Sequence, residues 1–511
     1  MLVALKDLSI CQGLYVLAAL ISTHYIARLI YNLYLHPLAK IPGPPTWCAS
    51  RLPFVVSLIR GTIVHDFEKL HRKYGPILRV APDEITFAQP EAWNDIFLPR
   101  QDHKPFLKDR LWWSRQPGQP DNLVSAIDPE NHARIRKALS AGFTPRALRS
   151  QEPIIQRYVN LLVERLRDQI LASGEKKTAE VDIGQWFHFT TFDIFGDLGF
   201  GESFDCLETS KFHPWIALLF NSVKAASFVV AARYYAWLEI ILIHGIPASV
   251  KKKAAKHYNQ IADKVQRRLN WELSRPDLMS YVIQKGPDSQ TVLPLGEINA
   301  TFMVLTTAGS ETTATALSGT VNYLVNNTAT LDILVKEVRS KFASDADISL
   351  DGLRDLPYLN AVLQEGLRLC PPVPWILPRR VSDGGSTVCG VWLPGGTPVS
   401  IQAYTMNRCE DYFHSATSFH PERWLEHARS DPSSLYFRDR REALQPFSIG
   451  PRNCLGQHLA WAEMRLILAK LVWNFDIEVV AGRKIRWEDL RTFLLVEKKP
   501  IMMKLGQRED L

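Results

Sequence analysis

Cys454 stands in the ten-residue loop F-S-I-G-P-R-N-C-L-G, residues 447–456. Gly450, Pro451 and Gly456 force a tight turn there, just before a stretch of helical period over about residues 457–474. Free N–H groups and the dipole at that helix start favour a thiolate over a thiol. Three chemistries are open to such a sulfur. A nucleophile needs a base, and His458 is the nearest histidine, one turn on. A zinc site would be half empty with one cysteine and one histidine. Axial ligation of a haem iron needs no second protein ligand, and loop amides would hold and tune the sulfur. The other cysteines, Cys11, Cys48, Cys206, Cys370, Cys389 and Cys409, are widely spaced and form no C-x-x-C pair. A total of seven is odd, so the count argues against a disulfide framework or cysteine zinc site and for a reducing compartment.

A second group lies on a helix expected over residues 297–326, roughly 45 Å long at about 1.5 Å per residue. Its centre reads Ala308-Gly309-Ser310-Glu311-Thr312-Thr313, poor helix formers for the middle of a core helix. Two readings stay open: a tight helix crossing at Ala308 and Gly309, or a local widening where something small meets the backbone. Elsewhere His132 and Arg136 share one face of a helix begun by Asp128-Pro129 and ending near Gly142. Taken alone, such a pair is a solvated face. Glu365 and Arg368 stand three apart on a helix over 358–369, closed by Pro371 and Pro372. Turn-rich residues 374–399 suggest a small sheet, followed by Pro421-Glu422-Arg423-Trp424.

These groups need a large scaffold. The chain has 511 residues, 46% hydrophobic and 22% charged, which excludes disorder and allows a substantial core. Its net charge of +7 is spread too thinly to argue for nucleic acid. Residues 8–26 carry no formal charge and are long enough to cross a bilayer. Tyr25, Tyr31 and Tyr34 supply interface aromatics, while Lys6 and Asp7 cancel ahead of the span. Arg28, Lys40, Arg51 and Arg60 follow it and keep the bulk of the chain on the cytoplasmic side. The stiff Ile41-Pro42-Gly43-Pro44-Pro45 then spaces a domain from the membrane, which favours an uncleaved anchor over a signal peptide. A further apolar tract, residues 215–246, is broken by Lys224 and Arg233 and reads as core helices or a patch dipping into lipid.

The cysteine loop resembles the signature of the cytochrome P-450 superfamily of haem-thiolate monooxygenases. A-G-S-E-T-T, E-G-L-R and P-E-R-W occur in that family's order and spacing. Leu35-His36-Pro37-Leu38 and residues 131–137 look like its membrane-bound fungal members. The resemblance implies a mainly α fold with small β-sheets around a buried haem b. It divides the chain into an anchor and linker, 1–40, and a catalytic domain, 41–511.

Carried over residue by residue, the resemblance makes Cys454 the proximal iron ligand, with Phe447 on its side of the haem. His132, Arg136, Arg379 and Arg452 would contact the haem propionates, Arg380 being the one-residue alternative to Arg379. Glu365, Arg368 and Arg423 would form a structural triad. Glu311 and Thr312 would be the acid–alcohol pair that brings protons to dioxygen, in a groove left by Ala308 and Gly309. The implied pocket comprises Phe106, Trp112, Trp113, Val304, Leu305, Val373, Trp375, Ile376, Phe493 and Leu494, all suited to a hydrophobic substrate.

Electrons are expected from NADPH through a flavoprotein reductase. It would be steered to a basic face made by Arg134, Lys137, Arg452, His458 and Arg465. Terpenoids lead the expected substrates and the endoplasmic reticulum membrane is the expected location. Competing readings are a haem electron carrier or sensor, a non-monooxygenase isomerase or dehydratase branch, and a cysteine hydrolase.

Overall fold

Capping and helix-stop residues place the helices that build the site. Asp128 accepts from the Asn131 N–H at 2.7 Å and Pro129 occupies the first helical position, as the sequence predicts. The computed structural model describes residues 10–101, 104–115, 118–174, 177–271, 275–283 and 293–508. The helices needed below are α1 (Ile10–Ile30), α2 (Pro129–Ser140), α3 (Ile183–Phe200), α4 (Pro214–Arg233), α5 (Ala236–Gly245), α6 (Ala248–Leu269), α7 (Leu295–Val325), α8 (Pro357–Leu369) and α9 (Gln457–Asn474).

α7 crosses the domain without a break. Its threonine hydroxyls donate to carbonyls one turn back, Thr306 to Phe302 O at 2.7 Å and Thr315 to Glu311 O at 2.7 Å. The helix is continuous through residues 308–313, and both readings find support there: Gly309 packs closely against α3, while Ala308 and Gly309 also line a cavity. A side chain at Gly309 would put Cβ 3.0 Å from the Phe195 ring of α3. α3 itself is buried along its whole length apart from Gly184 and Gln185, which are partly exposed.

A five-stranded mixed sheet runs Ile77–Ala81, Glu84–Phe87, Pro398–Ile401, Ile376–Arg380, Leu107–Lys108. Lys108 lies opposite Arg379, and Leu107 opposite Arg380. Alternation across the pleat then sends Lys108 and Arg379 to one face and Arg380 to the other. A three-stranded sheet orders Thr178–Asp182, Met502–Gln507 and Phe475–Val479, tying the end of the chain to its middle.

The apolar N-terminal span is longer than its uncharged core predicts. Cys11–Leu35 is helical for 25 residues and none of its central window is buried in protein. Leu8 and Ser9, which begin the expected span, and Lys6 and Asp7 before it lie outside the described residues. The base of the helix is tied to the domain: Asn32 donates to Ala49 O at 2.7 Å, and Arg79 donates to Asn32 O at 2.8 Å. The tract 215–246 forms two helices, α4 and α5, that part at Tyr234 and Tyr235. Among the described residues only the N-terminal helix is long and apolar enough to span. α5 leaves Trp237, Ile240 and Ile241 exposed.

Candidate active site

A cavity of about 380 Å³ lies between α2, α7, the sheet and the cysteine loop. The loop holds its shape through left-handed backbone at Ser448 (φ 57°) and Gly450 (φ 79°). A Cβ at Gly450 would sit 2.3 Å from Phe97 O, so only glycine fits. The Cys454 N–H donates to Phe447 O at 2.9 Å, and the Phe447 ring packs 6.1 Å from Trp461. The sulfur opens into the cavity, not to bulk water: it has accessible surface yet is crowded by protein. Burial therefore raises the thiol, and the Gly456 N–H and Arg136 offset this only in part. Burial thus opposes the thiolate that the helix start favours, and a cation at the sulfur would stabilise it. His458 is exposed and absent from the wall, which leaves the hydrolase reading without its base. Among the described residues no cluster of three histidine, cysteine or carboxylate side chains could hold a metal.

One edge of the cavity is strongly cationic. His132, Arg136, Arg379 and Arg452 all line it, as expected, and Lys108 joins them. Backbone oxygens answer these charges. Arg136 donates to Asn453 O at 2.7 Å, and Arg452 to Ala126 O at 2.6 Å and Ile127 O at 2.7 Å. Burial, with Arg452 beside it, pushes the Arg379 guanidinium down to about 9. Burial, with Arg379 and Arg452, holds Lys108 well below its ordinary range. His132 is lowered to about 3 by burial and then by Arg452, Lys108, Arg136 and Arg379. Buried cations that depress one another are costly unless an anion joins them. A haem fits: its two carboxylates match this edge, and its iron needs the thiolate at Cys454.

Arg380 turns away, to Asp109 at 2.9 Å and Gly396 O at 2.9 Å. Strand alternation thus puts Arg379, and not Arg380, on the cavity wall. Lys108 was missed because its two-residue strand gives no pattern; only pairing with Arg379 aims it inward.

Ala308, Gly309 and Thr312 face the same cavity. The Thr312 hydroxyl donates to Ala308 O at 2.7 Å. Glu463 of α9, unforeseen in the sequence, also lines the wall, bonded to Thr313 and held well above the ordinary carboxyl range by burial. Glu311 does not reach this wall. It lies on a second cavity of about 430 Å³, with its Oε1 accepting from Lys498 and its Oε2 2.9 Å from His188 Nε2.

Of the expected pocket residues, Trp113, Leu305, Val373 and Ile376 are on the wall. The others are not. Phe106 is core beneath the sheet. Trp112 and Trp375 meet edge to face at 4.9 Å inside another core cluster, which Leu494 flanks. Phe493 faces the second cavity, and Val304 is turned off the wall by one helical step from Leu305. Aromatic bulk alone did not separate cavity wall from core. Phe195 and Phe143 take part instead.

Glu365, Arg368 and Arg423 are fully buried and joined. Arg368 Nη2 is 2.7 Å and Arg423 Nε 3.1 Å from Glu365 Oε1. Asp439 also binds Arg423, so two carboxylates balance two guanidiniums. Trp424 Nε1 donates to Glu365 at 2.9 Å.

The family model for Cytochrome P450 matches residues 41–505. The chain is 39% identical to the cytochrome P450 monooxygenase astJ of Aspergillus oryzae, over 94% of each chain. It is 40% identical to the averantin hydroxylase of Dothistroma septosporum, over 94% of this chain and 89% of that one. It is 39% identical to the trichothecene C-15 hydroxylase of Fusarium sporotrichioides, over 95% and 96%.

Proposed function

This chain belongs to the cytochrome P450 family of haem-thiolate monooxygenases, and we propose that it hydroxylates a hydrophobic small molecule of fungal secondary metabolism, a terpenoid first among the candidates. The observation that carries this reading is one cavity with a cysteine sulfur, a cationic edge and a threonine of α7 on its wall. When bound, haem supplies the activation of dioxygen, with electrons that originate from NAD(P)H and arrive through a reductase.

The chain's own residues do the rest. Cys454 would be the iron ligand. Lys108, His132, Arg136, Arg379 and Arg452 would hold the haem carboxylates. Leu305, Val373, Ile376 and Trp113 exclude water and orient an apolar substrate. The Thr312 hydroxyl would hold a proton donor at the groove beside Ala308 and Gly309, on the cavity that Cys454 shares. Glu365, Arg368, Arg423 and Asp439 hold the core rigid. Two of the relatives are named hydroxylases, which supports this outcome over rearrangement and over a carrier or sensor role.

Residues 1–40 serve as membrane anchor and linker, with the catalytic domain 41–511 on the cytoplasmic side of the endoplasmic reticulum. The electron donor is an NADPH-dependent flavoprotein reductase. The basic face expected for it is thinner than its sequence suggests. Arg134 is exposed but bound to Glu297 at 2.7 Å, Arg452 turns inward and Arg465 binds Asn360; Lys137 and His458 are also exposed.

Expression with such a reductase, and metabolite profiling of the native host after gene deletion, test the substrate. Cys454→Ser tests the site: it should abolish the red-shifted Soret band of the reduced carbon monoxide complex. Retention of that band would remove Cys454 from the iron.

A further inference from the structure

The second cavity has a wall of its own. No residue is common to the two linings: α7 gives Glu311 and Ser318 to the second, and Ala308 and Thr312 to the first. At about 430 Å³ it falls within the roughly 300–1,000 Å³ of small-molecule sites. Its apolar surface comes from Phe212, Phe493, Leu495, Val496 and Ile501. Lys499 and Pro500, both exposed, also line it.

The other charged groups of this wall answer one another. Glu311 accepts from the Lys498 ammonium and lies 2.9 Å from His188 Nε2. Lys224 of α4 binds Glu497 at 2.6 Å, and Glu497 also holds Arg491 at 2.8 Å. Asp182 accepts from the Ile501 N–H at 2.9 Å. An ionised ligand would have to break one of these pairings, whereas a neutral one would leave them whole.

Ser318 is the exception. It is 0% exposed, and its hydroxyl has no hydrogen-bond partner among the described residues. Thr315 and Thr320, on either side of it in α7, donate to carbonyls one turn back at 2.7 and 2.8 Å. Gly184 of α3 keeps the corner beside Ser318 open: a Cβ there would lie 3.3 Å from Ser318 Oγ and 3.4 Å from Asp182 Oδ1. A buried hydroxyl without a partner is destabilising, and a ligand oxygen that reached it would remove that cost.

We propose that the second cavity is a ligand site for a neutral, mainly apolar alcohol. Its hydroxyl bonds to Ser318 Oγ, and its apolar body lies against Phe493, Leu495 and Val496. The site goes beyond the monooxygenase reading and does not depend on it. Hydroxylated products of the proposed reaction belong to this chemical class.

The experiment is photolabelling of full-length, haem-loaded protein in nanodiscs with a trifluoromethyl-diazirine benzyl alcohol. Excess clotrimazole fills the haem cavity throughout, as its Soret shift reports. Adducts on residues 182–188 and 493–501 should saturate with probe, persist beside the azole and keep the same half-saturation at high salt. Ser318→Ala, which suits a helix, should raise the half-saturating concentration about fivefold. The same diazirine without its hydroxyl should label wild type as weakly as the alcohol labels Ser318→Ala, with no further loss in that variant. Labelling that never saturates, that the azole removes, or that ignores both Ser318 and the probe hydroxyl would overturn the site. The Soret test of Cys454 is untouched by that result, so failure of this site and failure of the enzyme reading are distinct.

Discussion

Glu311 and Thr312 are consecutive residues of α7, yet they open onto different cavities, Thr312 beside Cys454 and Glu311 beside His188 and Lys498. One helical step, about 100° of rotation at 3.6 residues per turn, separates the carboxyl from the hydroxyl. The acid–alcohol pair is therefore split by its own helix.

Thr312→Ala should keep the helix, since alanine is the better helix former, and should keep substrate binding. Product per NADPH should fall and peroxide should rise. Glu311→Gln should instead slow turnover, because the acid is lost while the hydroxyl remains. The ratio of product to NADPH oxidised, with peroxide measured alongside, separates them. Undiminished coupling in Thr312→Ala would remove its hydroxyl from the mechanism.

Haem retention should depend on the inward cations and not on their neighbour. Lys108→Met and Arg379→Leu each remove a charge-assisted contact of about 1.5–3 kcal/mol, roughly ten- to a hundredfold in retention. Arg380→Leu should leave retention unchanged, since Arg380 is bound to Asp109 on the other face. Rates of haem loss to a scavenger protein check all three.

The cationic edge should make the haem-free chain sensitive to acid. His132 is lowered from 6.5 to about 3, so the unfolded chain takes up that proton first. Stability should fall as pH drops from about 6.5 toward 3, and rise with pH across the same window. Urea midpoints of wild type and His132→Asn should diverge there, the variant being flatter. Loading with haem should shrink the difference, because its carboxylates answer the same cations.

Breaking the buried pairs under the site should cost stability before it costs chemistry. Glu365→Gln leaves two buried guanidiniums against one carboxylate, Asp439, a loss of about 3–5 kcal/mol. Asp439→Asn should be destabilising in the same way. Thermal unfolding of both variants, followed by haem content, is the check. Full haem content in a destabilised variant would separate the pairs from the haem pocket.

Removing residues 1–30 should release most of the protein from membranes and leave haem binding intact, because the span's apolar window is not buried in protein and the Asn32 contacts to Ala49 and Arg79 are kept. Residual adhesion should persist through Trp237, Ile240 and Ile241 of α5 and vanish when all three become serine. Flotation on vesicles measures both. A full-length protein wholly in the soluble fraction would defeat the anchor.

Much of this molecule was legible in residue order alone, wherever the chemistry is local. The cysteine loop, the Glu365–Arg368 spacing, the long helix with its small centre and the apolar N-terminus each act over a few consecutive residues. Their physics is carried by backbone sterics, helical period and span length, which a sequence states directly. Tertiary structure alone decided the rest. Lys108 joins the cationic edge only because a two-residue strand pairs with Arg379. Asp439 balances Arg423 from another segment, and His188 and Lys498 reach Glu311 from α3 and the chain's end. Phe106, Trp112 and Trp375 are core, while Trp113, next in sequence to Trp112, is cavity wall. Such distinctions depend on which face of an element meets which neighbour, and that is set by packing over hundreds of residues of separation.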